Sequence, residues 1–363
     1  MGSFLKEAKR RGDTMDNRND RKHTYKEAGV DVRGAERAKG KMGALTASPD
    51  PRVLNRGGAF ASLFVPRFDG VADPVLVLKS EEPGSKQQLA FEHGRIESIC
   101  QDLIHHLVND IVVMGAKPEV VLDTILCGRI EQETVLAIVE HLAAACRGLD
   151  CSLVGGETSE QPGVLATGQY MLNASILGVA DRARIVDGSR IRPGDKVVAL
   201  ASNGLHTNGY SLVRRLMADR PEIMAETIGG MRFLDAILLP HTCYYRPLRD
   251  WLGDPAVHGM AHITGGGIEG NVKRILPEGT RARIELGRLE VHPLFRVIQR
   301  FGNVPEDDML QTFNMGAGLV VVMEAKRVSA LIGHLKTSGC QAYEVGEIVA
   351  GNQDVVFVGE LQW

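Results

Sequence analysis

Ser80, Glu81, Glu82, Ser85 and Lys86 follow the apolar run VLVLK and gather carboxylates, hydroxyls and one amine on a short loop. Asp102, His106 and Asp110 recur at i, i+4 and i+8, so on a helix they share one stripe, with Asn109 beside them. Glu157 and Glu160 sit in LVGGETSEQPG (153–163), directly after the glycine pair Gly155-Gly156. Acidic groups drawn from separate segments suit a hard divalent cation. Mg²⁺ takes one or two carboxylates and fills its other positions with water and substrate phosphates. Glu81, Asp102, Asp110 and Glu157 are therefore the candidate metal ligands, and Lys86 offers a point charge to a phosphate. The glycines make the GGETSEQPG stretch read as a tight turn, since such pairs let a backbone bend sharply or approach a ligand closely.

The second half carries groups of another kind. SNGLHTNGYS (202–211) places His206, Thr207, Asn208 and Gly209 at the entrance of a helix, and HITGGGIEG (262–270) places His262, Thr264, Gly265, Gly266 and Gly267 at another. Backbone N–H groups opened by glycines form anion sites, so the two turns read as a cradle for a phosphorylated substrate. Three tempting patterns are set aside. Gly265-x-Gly267-x-x-Gly270 follows a histidine rather than opening a first βαβ unit, unlike a dinucleotide fingerprint. The six cysteines show no zinc-type spacing. His105 and His106 are adjacent, so on a helix they face different directions and form no metal pair.

These groups need elements to hold them. VLVLK (75–79) reads as a buried strand. Ile96, Ile99, Leu103, Leu107, Ile111 and Met114 recur at helical spacing up to Gly115, and ETVLAIVEHLAAACRG gives a second amphipathic helix ending at Gly148. CSLV and YMLNASILGVA read as strands. The turn-rich DRARIVDGSRIRPGD (181–195) marks a boundary, giving an N-terminal domain over 23–181 and a C-terminal domain over 182–363. Beyond it KVVALAS, AGLVVVME and the tail read as strands, NGYSLVRRLM and VSALIGHLKTSG as helices. Strands and helices alternate, so the class is α/β or α+β.

Composition is that of an ordinary globular enzyme: 363 residues, 44% hydrophobic and 24% charged. A net charge of −3 gives no electrostatic case for nucleic-acid binding. No run approaches the ~20 apolar residues that span a bilayer. Residues 1–22 are charged, lack a signal-type apolar core and read as a disordered leader. Cysteines in apolar surroundings suit free thiols in a reducing cytoplasm.

Taken in order, TYKEAGVDV (24–32), GGAFASLF (57–64), VNDIVVMGAKP (108–118), VGGETSEQPG (154–163), SNGLHTNGYSLVR (202–214), HITGGG (262–267) and TFNMGAGLVV (312–321) resemble the aminoimidazole ribonucleotide synthetase, or phosphoribosylformylglycinamidine cyclo-ligase, family. The likeness runs from about residue 24 to 360. It implies a homodimer whose N-terminal domains pair their sheets, each with a C-terminal α/β domain beside it. ATP and Mg²⁺ are the implied cofactors. Lys26, Glu81, Ser85, Lys86, Asn109, Asp110, Gly155, Gly156 and Glu157 match the family's nucleotide-binding positions. The HTNG and TGGG turns match its substrate-phosphate positions. His206, His262 and Lys86 become the catalytic candidates, imidazole being suited to substrate binding or proton transfer near neutral pH. The implied reaction is ATP-dependent ring closure of formylglycinamidine ribonucleotide, in purine biosynthesis.

One departure stands out. Where the family reads Thr-Asp-Gly-Val-Gly-Thr-Lys, this chain reads Ser80-Glu-Glu-Pro-Gly-Ser-Lys86. Glu81 keeps a carboxylate on a longer arm, Glu82 adds bulk and charge, and Pro83 fixes φ and removes a donor. A paralogue activating another formamide or amide, and a non-catalytic dimeric homologue with a silenced nucleotide loop, are the competing readings.

Overall fold

The computed structural model describes residues 41–54 and 60–363. The expected leader, Lys26 and the TYKEAGVDV segment lie outside the described residues, as do Gly57 and Gly58.

The first sheet is built from β1 (Pro74–Glu81), β2 (Lys117–Cys127), β3 (Ser152–Glu160) and β4 (Tyr170–Asp181), in the order β1-β4-β2-β3. β4 runs antiparallel to both β1 and β2, and β2 pairs parallel with β3. One face is covered by helices: α1 (Lys86–Glu92) enters, α2 (Ile96–Val112) follows, and α3 (Gln132–Gly148) packs beside it. The helical periodicity read from the sequence is the buried stripe, with Ile99, Leu103, Leu107 and Ile111 all fully buried. Fully burying one such side chain contributes about 1.5–3 kcal/mol. The opposite face stays apolar and open: Leu76, Leu78, Leu122 and Met171 are 50%, 72%, 46% and 42% exposed.

The chain then crosses a 3₁₀ turn, Arg182–Arg184, into the second sheet. Its strands are β5 (Lys196–Ala201), β8 (Val257–His262), β9 (Thr280–Glu285), β10 (Ala317–Met323), β11 (Ala342–Ala350) and β12 (Asp354–Val358), in the order β12-β9-β11-β5-β10-β8. A small hairpin, β6 (Thr227–Ile228) and β7 (Met231–Arg232), stands apart from it. The sheet is antiparallel except for the β12–β9 pair. β8 and β10 are buried at every position; β10 (AGLVVVM) is a continuous apolar run, whereas β8 (VHGMAH) carries His258 and His262. The helices are α4 (Tyr210–Asp219), α5 (Phe233–Ile237), α6 (Tyr245–Leu248), α7 (Gly267–Val272), α8 (Pro293–Gly302), α9 (Glu306–Thr312) and α10 (Val328–Thr337).

One expectation is corrected here. GGETSE is not a turn but the second half of β3, which runs on to Glu160 before Gln161 and Pro162 break it. Neither Gly155 nor Gly156 has a positive φ. The pair serves close approach just past an irregularity in the β2–β3 register: a Cβ on Gly156 would stand 2.0 Å from Asp123 Oδ1 on β2, and one on Gly155 would stand 2.7 Å from Ser62 Oγ.

Candidate functional site

α2 and the segment 238–244 form the seam between the two sheets. Ser98, Asp102, His105 and Asn109 lie at i, i+4, i+7 and i+11, one helical stripe. Each holds backbone of that segment. Ser98 Oγ donates to Leu238 O and His105 Nδ1 meets His241 O. Asp102 Oδ1 accepts the His241 N–H at 2.7 Å. Asn109 donates to Thr242 O at 2.8 Å and accepts the Tyr244 N–H at 2.9 Å.

Lys86 and Asp102 anchor this seam and are both fully buried. The Lys86 ammonium lies 2.9 Å from Asp102 Oδ1 and 2.7 Å from Oδ2, and it also donates to His206 O and Leu239 O at 3.2 and 2.6 Å. Burial pushes the Asp102 carboxyl up to about 6 against the pull of Lys86, and it pulls the lysine down. A lysine whose donors are spent on a carboxylate and two carbonyls has none to aim at a phosphate. The structure thus gives Lys86 and Asp102 a role at the domain seam in place of the expected phosphate and metal contacts.

Asp110, the last member of the predicted stripe, reaches the second domain. Its Oδ1 is 2.7 Å from His262 Nδ1, at the end of β8. Its Oδ2 is 3.1 Å from Lys79 Nζ, which is in turn 3.0 Å from Glu81 Oε2. His106 Nε2 lies 3.8 Å from both carboxylates, and its Nδ1 is 3.1 Å from Thr207 Oγ1. Burial alone would raise the Asp110 carboxyl, but the His262 contact and the nearby Lys79 ammonium hold it well below the usual range. Burial, reinforced by His262, lowers His106 to about 4. Glu81 and Asp110 therefore converge on one cationic centre, the Lys79 ammonium. A Mg²⁺ ion completed by water and phosphates needs Mg–O bonds of about 2.0–2.1 Å, so it would displace the Lys79 amine and draw the two carboxylates inward from these 3.0 and 3.1 Å contacts.

Glu157 does not join them. In the β2–β3 register it stands beside Thr124 on the open face of the first sheet, whereas Lys79 and Glu81 project from β1 on the helix-covered side, level with buried Ile176 and Ala174. A β-strand sends alternate residues to opposite faces, so the four predicted carboxylates do not meet within one chain. Glu160 caps rather than ligates, its Oε1 accepting the Ile130 N–H at 2.7 Å. Asp123, unremarked in the sequence, is buried under Gly156, and burial lifts its carboxyl to about 7 with help from Glu157.

In the altered loop the left-handed residue is Gly84, with φ +62°, while Glu82 keeps a negative φ and suffers no such strain. Glu82 takes a 3.4 Å hydrogen bond from Gln87, whose own carbonyl accepts the Leu172 N–H at 2.9 Å. Ser85 stands at the head of α1 without a side-chain cap bond.

The two predicted turns come together. Asn208 Oδ1 accepts the Gly265 N–H at 3.0 Å, joining HTNG to TGGG. Gly209, with φ +78°, caps α4. Gly267, with φ +62°, lies so close to α9 that a Cβ would stand 1.8 Å from Leu310 O. Asn271, missed in the sequence, clamps the loop by donating to the carbonyls of Thr264, Gly265 and Gly267. Thr264 Oγ1 donates to Asn271 Oδ1 at 3.3 Å.

Above these turns sits a histidine cluster. His206 holds φ +59° and stacks on His241, with ring centroids 3.9 Å apart and planes 22° off parallel. His241 Nε2 faces His262 Nε2 at 2.9 Å, so Asp110, His262 and His241 form a chain of three. Gly318 on β10 leaves the room, since a Cβ there would stand 2.5 Å from His206 Cε1. Burial, reinforced by the neighbouring histidines, holds His206 and His241 well below the usual imidazole range. His241 had no sequence signal of its own, lying in LLPHTCYY without a glycine turn.

Residues 72–180 match the family described as AIR synthase related protein, N-terminal domain, and residues 192–359 match its C-terminal domain. The phosphoribosylformylglycinamidine cyclo-ligase of Methylobacillus flagellatus is 40% identical over 329 residues, covering 90% of this chain and 94% of that one. The chain belongs to the phosphoribosylformylglycinamidine cyclo-ligase family. Another member, from Anaeromyxobacter dehalogenans, is 41% identical over 90% of this chain and 96% of its own. The cyclo-ligase fold extends to distant proteins. Hydrogenase maturation protein HypE, solved in complex with ATP, is 16% identical with a TM-score of 0.64, over 91% of this chain and 93% of that one. Among the described residues of this family member, no helix is long and apolar enough to cross a membrane.

Proposed function

We propose that this protein closes the imidazole ring of 5-aminoimidazole ribonucleotide from formylglycinamidine ribonucleotide at the expense of ATP, a ligase step of purine biosynthesis. The observation that carries the reading is identity near 40% along nine-tenths of the chain to proteins named for that reaction. The competing paralogue and silent-homologue readings draw no comparable support.

ATP phosphorylates the formamide oxygen, giving an iminophosphate and ADP. The amidine nitrogen attacks the activated carbon, the C–O bond breaks, inorganic phosphate leaves and the attacking nitrogen gives up a proton. An amide oxygen is a poor leaving group until it is phosphorylated. The protein's part is positioning and charge neutralisation. His206, Thr207, Asn208, Gly209, Thr264, Gly265, Gly266 and Gly267 hold the ribonucleotide phosphate between the two joined turns. His262, oriented through Nδ1 by Asp110, presents Nε2 to the cluster and can take the proton. Glu81 and Asp110 would hold Mg²⁺, which supplies positive charge to the ATP phosphates when bound, and Lys79 would yield its place between them.

The open apolar face around Leu76, Leu78, Leu122 and Met171 supports a homodimer joined sheet to sheet. Such pairing places Glu157 toward a second copy, so Glu157, Gly155 and Gly156 serve the nucleotide from across the interface. The expected location is the cytoplasm. Incubating the purified protein with ATP, Mg²⁺ and formylglycinamidine ribonucleotide tests the reading. ADP must form together with a diazotisable aminoimidazole, and ADP release only with a different formamide substrate transfers the activity to a paralogue.

A further inference from the structure

We propose that His206, His241 and His262 form a site for one first-row transition-metal ion of the Zn²⁺ or Co²⁺ type. The available ring nitrogens of these residues lie within 4.8 Å of one another, and all three residues are buried. His241 Nε2 and His262 Nε2 already point at each other across 2.9 Å, a contact that needs one proton between two lone pairs. Asp110 accepts from His262 Nδ1, which fixes the tautomer and leaves His262 Nε2 as a lone-pair donor facing the cluster. A metal ion takes the proton's place. With Zn–N bonds of about 2.0–2.1 Å, tetrahedral ligand nitrogens stand roughly 3.3 Å apart, so His241 and His262 need to part only slightly.

His206 supplies the third ligand. Both of its ring nitrogens, and Nδ1 of His241, are buried without a hydrogen-bond partner. In its stacked position the His206 ring cannot share an in-plane ion with His241, so it must turn off the stack. That turn breaks no hydrogen bond of the ring. Neutral imidazole is the ligating form, and the unpartnered ring nitrogens of His206 are free to offer a lone pair. Three imidazoles favour Zn²⁺, Co²⁺ or Ni²⁺, whereas Mg²⁺ prefers the carboxylates Glu81 and Asp110. The Asp110 contact to His262 completes a carboxylate–histidine–metal arrangement. Resting on the function proposed above, a further consequence is inhibition by Zn²⁺ that is competitive with the ribonucleotide and not with ATP.

The test is titration of the metal-free full chain with Co²⁺ alone, in buffer free of nucleotide and phosphate, followed by absorption and calorimetry. One Co²⁺ per chain is expected, with the visible d–d bands of a four-coordinate site and no sulfur-to-cobalt charge-transfer band. Asp110→Asn should weaken binding by about 10–100-fold, the usual effect of removing a partner of a metal-bound histidine. His241→Asn should weaken it further. A thiolate band, unchanged affinity in folded His241→Asn, or no saturable binding overturns the proposal. If His241→Asn fails to fold, the wild-type spectrum and Asp110→Asn decide. Co²⁺ binding is read without turnover, so its failure leaves the cyclo-ligase assay standing, and the converse holds.

Discussion

Asp110 Oδ1 on α2 lies 2.7 Å from His262 Nδ1 at the end of β8, and this contact joins the acidic helix of one sheet to the glycine turns of the other. Asp110→Asn keeps the shape but removes the charge that orients and supports the imidazole. The expected outcome is a fall in kcat on the order of 10²-fold or more, the scale of a general acid–base contribution, with a lowered melting temperature because the folded state favours the ionised carboxylate. Steady-state formation of ADP and aminoimidazole measures it. Wild-type kcat in this variant would remove the Asp110–His262 pair from the chemistry.

Lys86 and Asp102 are treated by this fold as a buried pair at the domain seam. Lys86→Met strands the Asp102 carboxylate and should cost about 3–5 kcal/mol in denaturant unfolding. The double variant Lys86→Met/Asp102→Leu should regain much of that stability, because it removes both buried charges. A Lys86→Met protein as stable as wild type but inactive would return Lys86 to the phosphate.

Glu157 and Asp110 stand on opposite sides of the first sheet, so in a sheet-to-sheet dimer a complete site draws on both copies. Glu157→Ala and Asp110→Asn homodimers should each be nearly inactive. After denaturation and refolding together, the mixture should show activity that neither parent has, because mixed dimers regain one site carrying both wild-type groups. Additive residual activity across mixing ratios would place Glu157 and Asp110 in the same chain's site.

Asp123 gives a pH signature. Burial raises its carboxyl from an ordinary value near 4 to about 7. A raised folded-state value means the stabilising effect of its proton is complete below the unfolded value and is lost as pH rises through about 7. Asp123→Asn, which stays neutral, should therefore flatten the fall in melting temperature between about pH 4 and 7. Parallel melting curves for the two proteins across that range would place the pH dependence elsewhere.

The α2 stripe, the two glycine turns and the strand–helix alternation were legible because period and local backbone chemistry are written in neighbouring residues. The convergence of Asp110 on His262 was not, since 152 positions separate them and only the folded seam joins them. GGETSE misled because glycine pairs mark close approach as readily as bends, and the atoms approached, Asp123 and Ser62, lie on other segments. Lys86 misled for a related reason: a lysine beside a phosphate-type loop looks free until Asp102 and the carbonyls of His206 and Leu239 are found around it. His241 was invisible because its role comes wholly from tertiary neighbours, whereas Asn271 clamps carbonyls four to seven residues back in its own turn and went unread because an asparagine inside a helix carries no such mark.

The central claim is that ATP activates the formamide oxygen at the junction of these two domains. Turnover of formylglycinamidine ribonucleotide carrying a heavy-oxygen label on the formyl group tests it directly. The account predicts that the label leaves in inorganic phosphate, in step with aminoimidazole formation. Label found in water, with unlabelled phosphate and the same ring product, would contradict it.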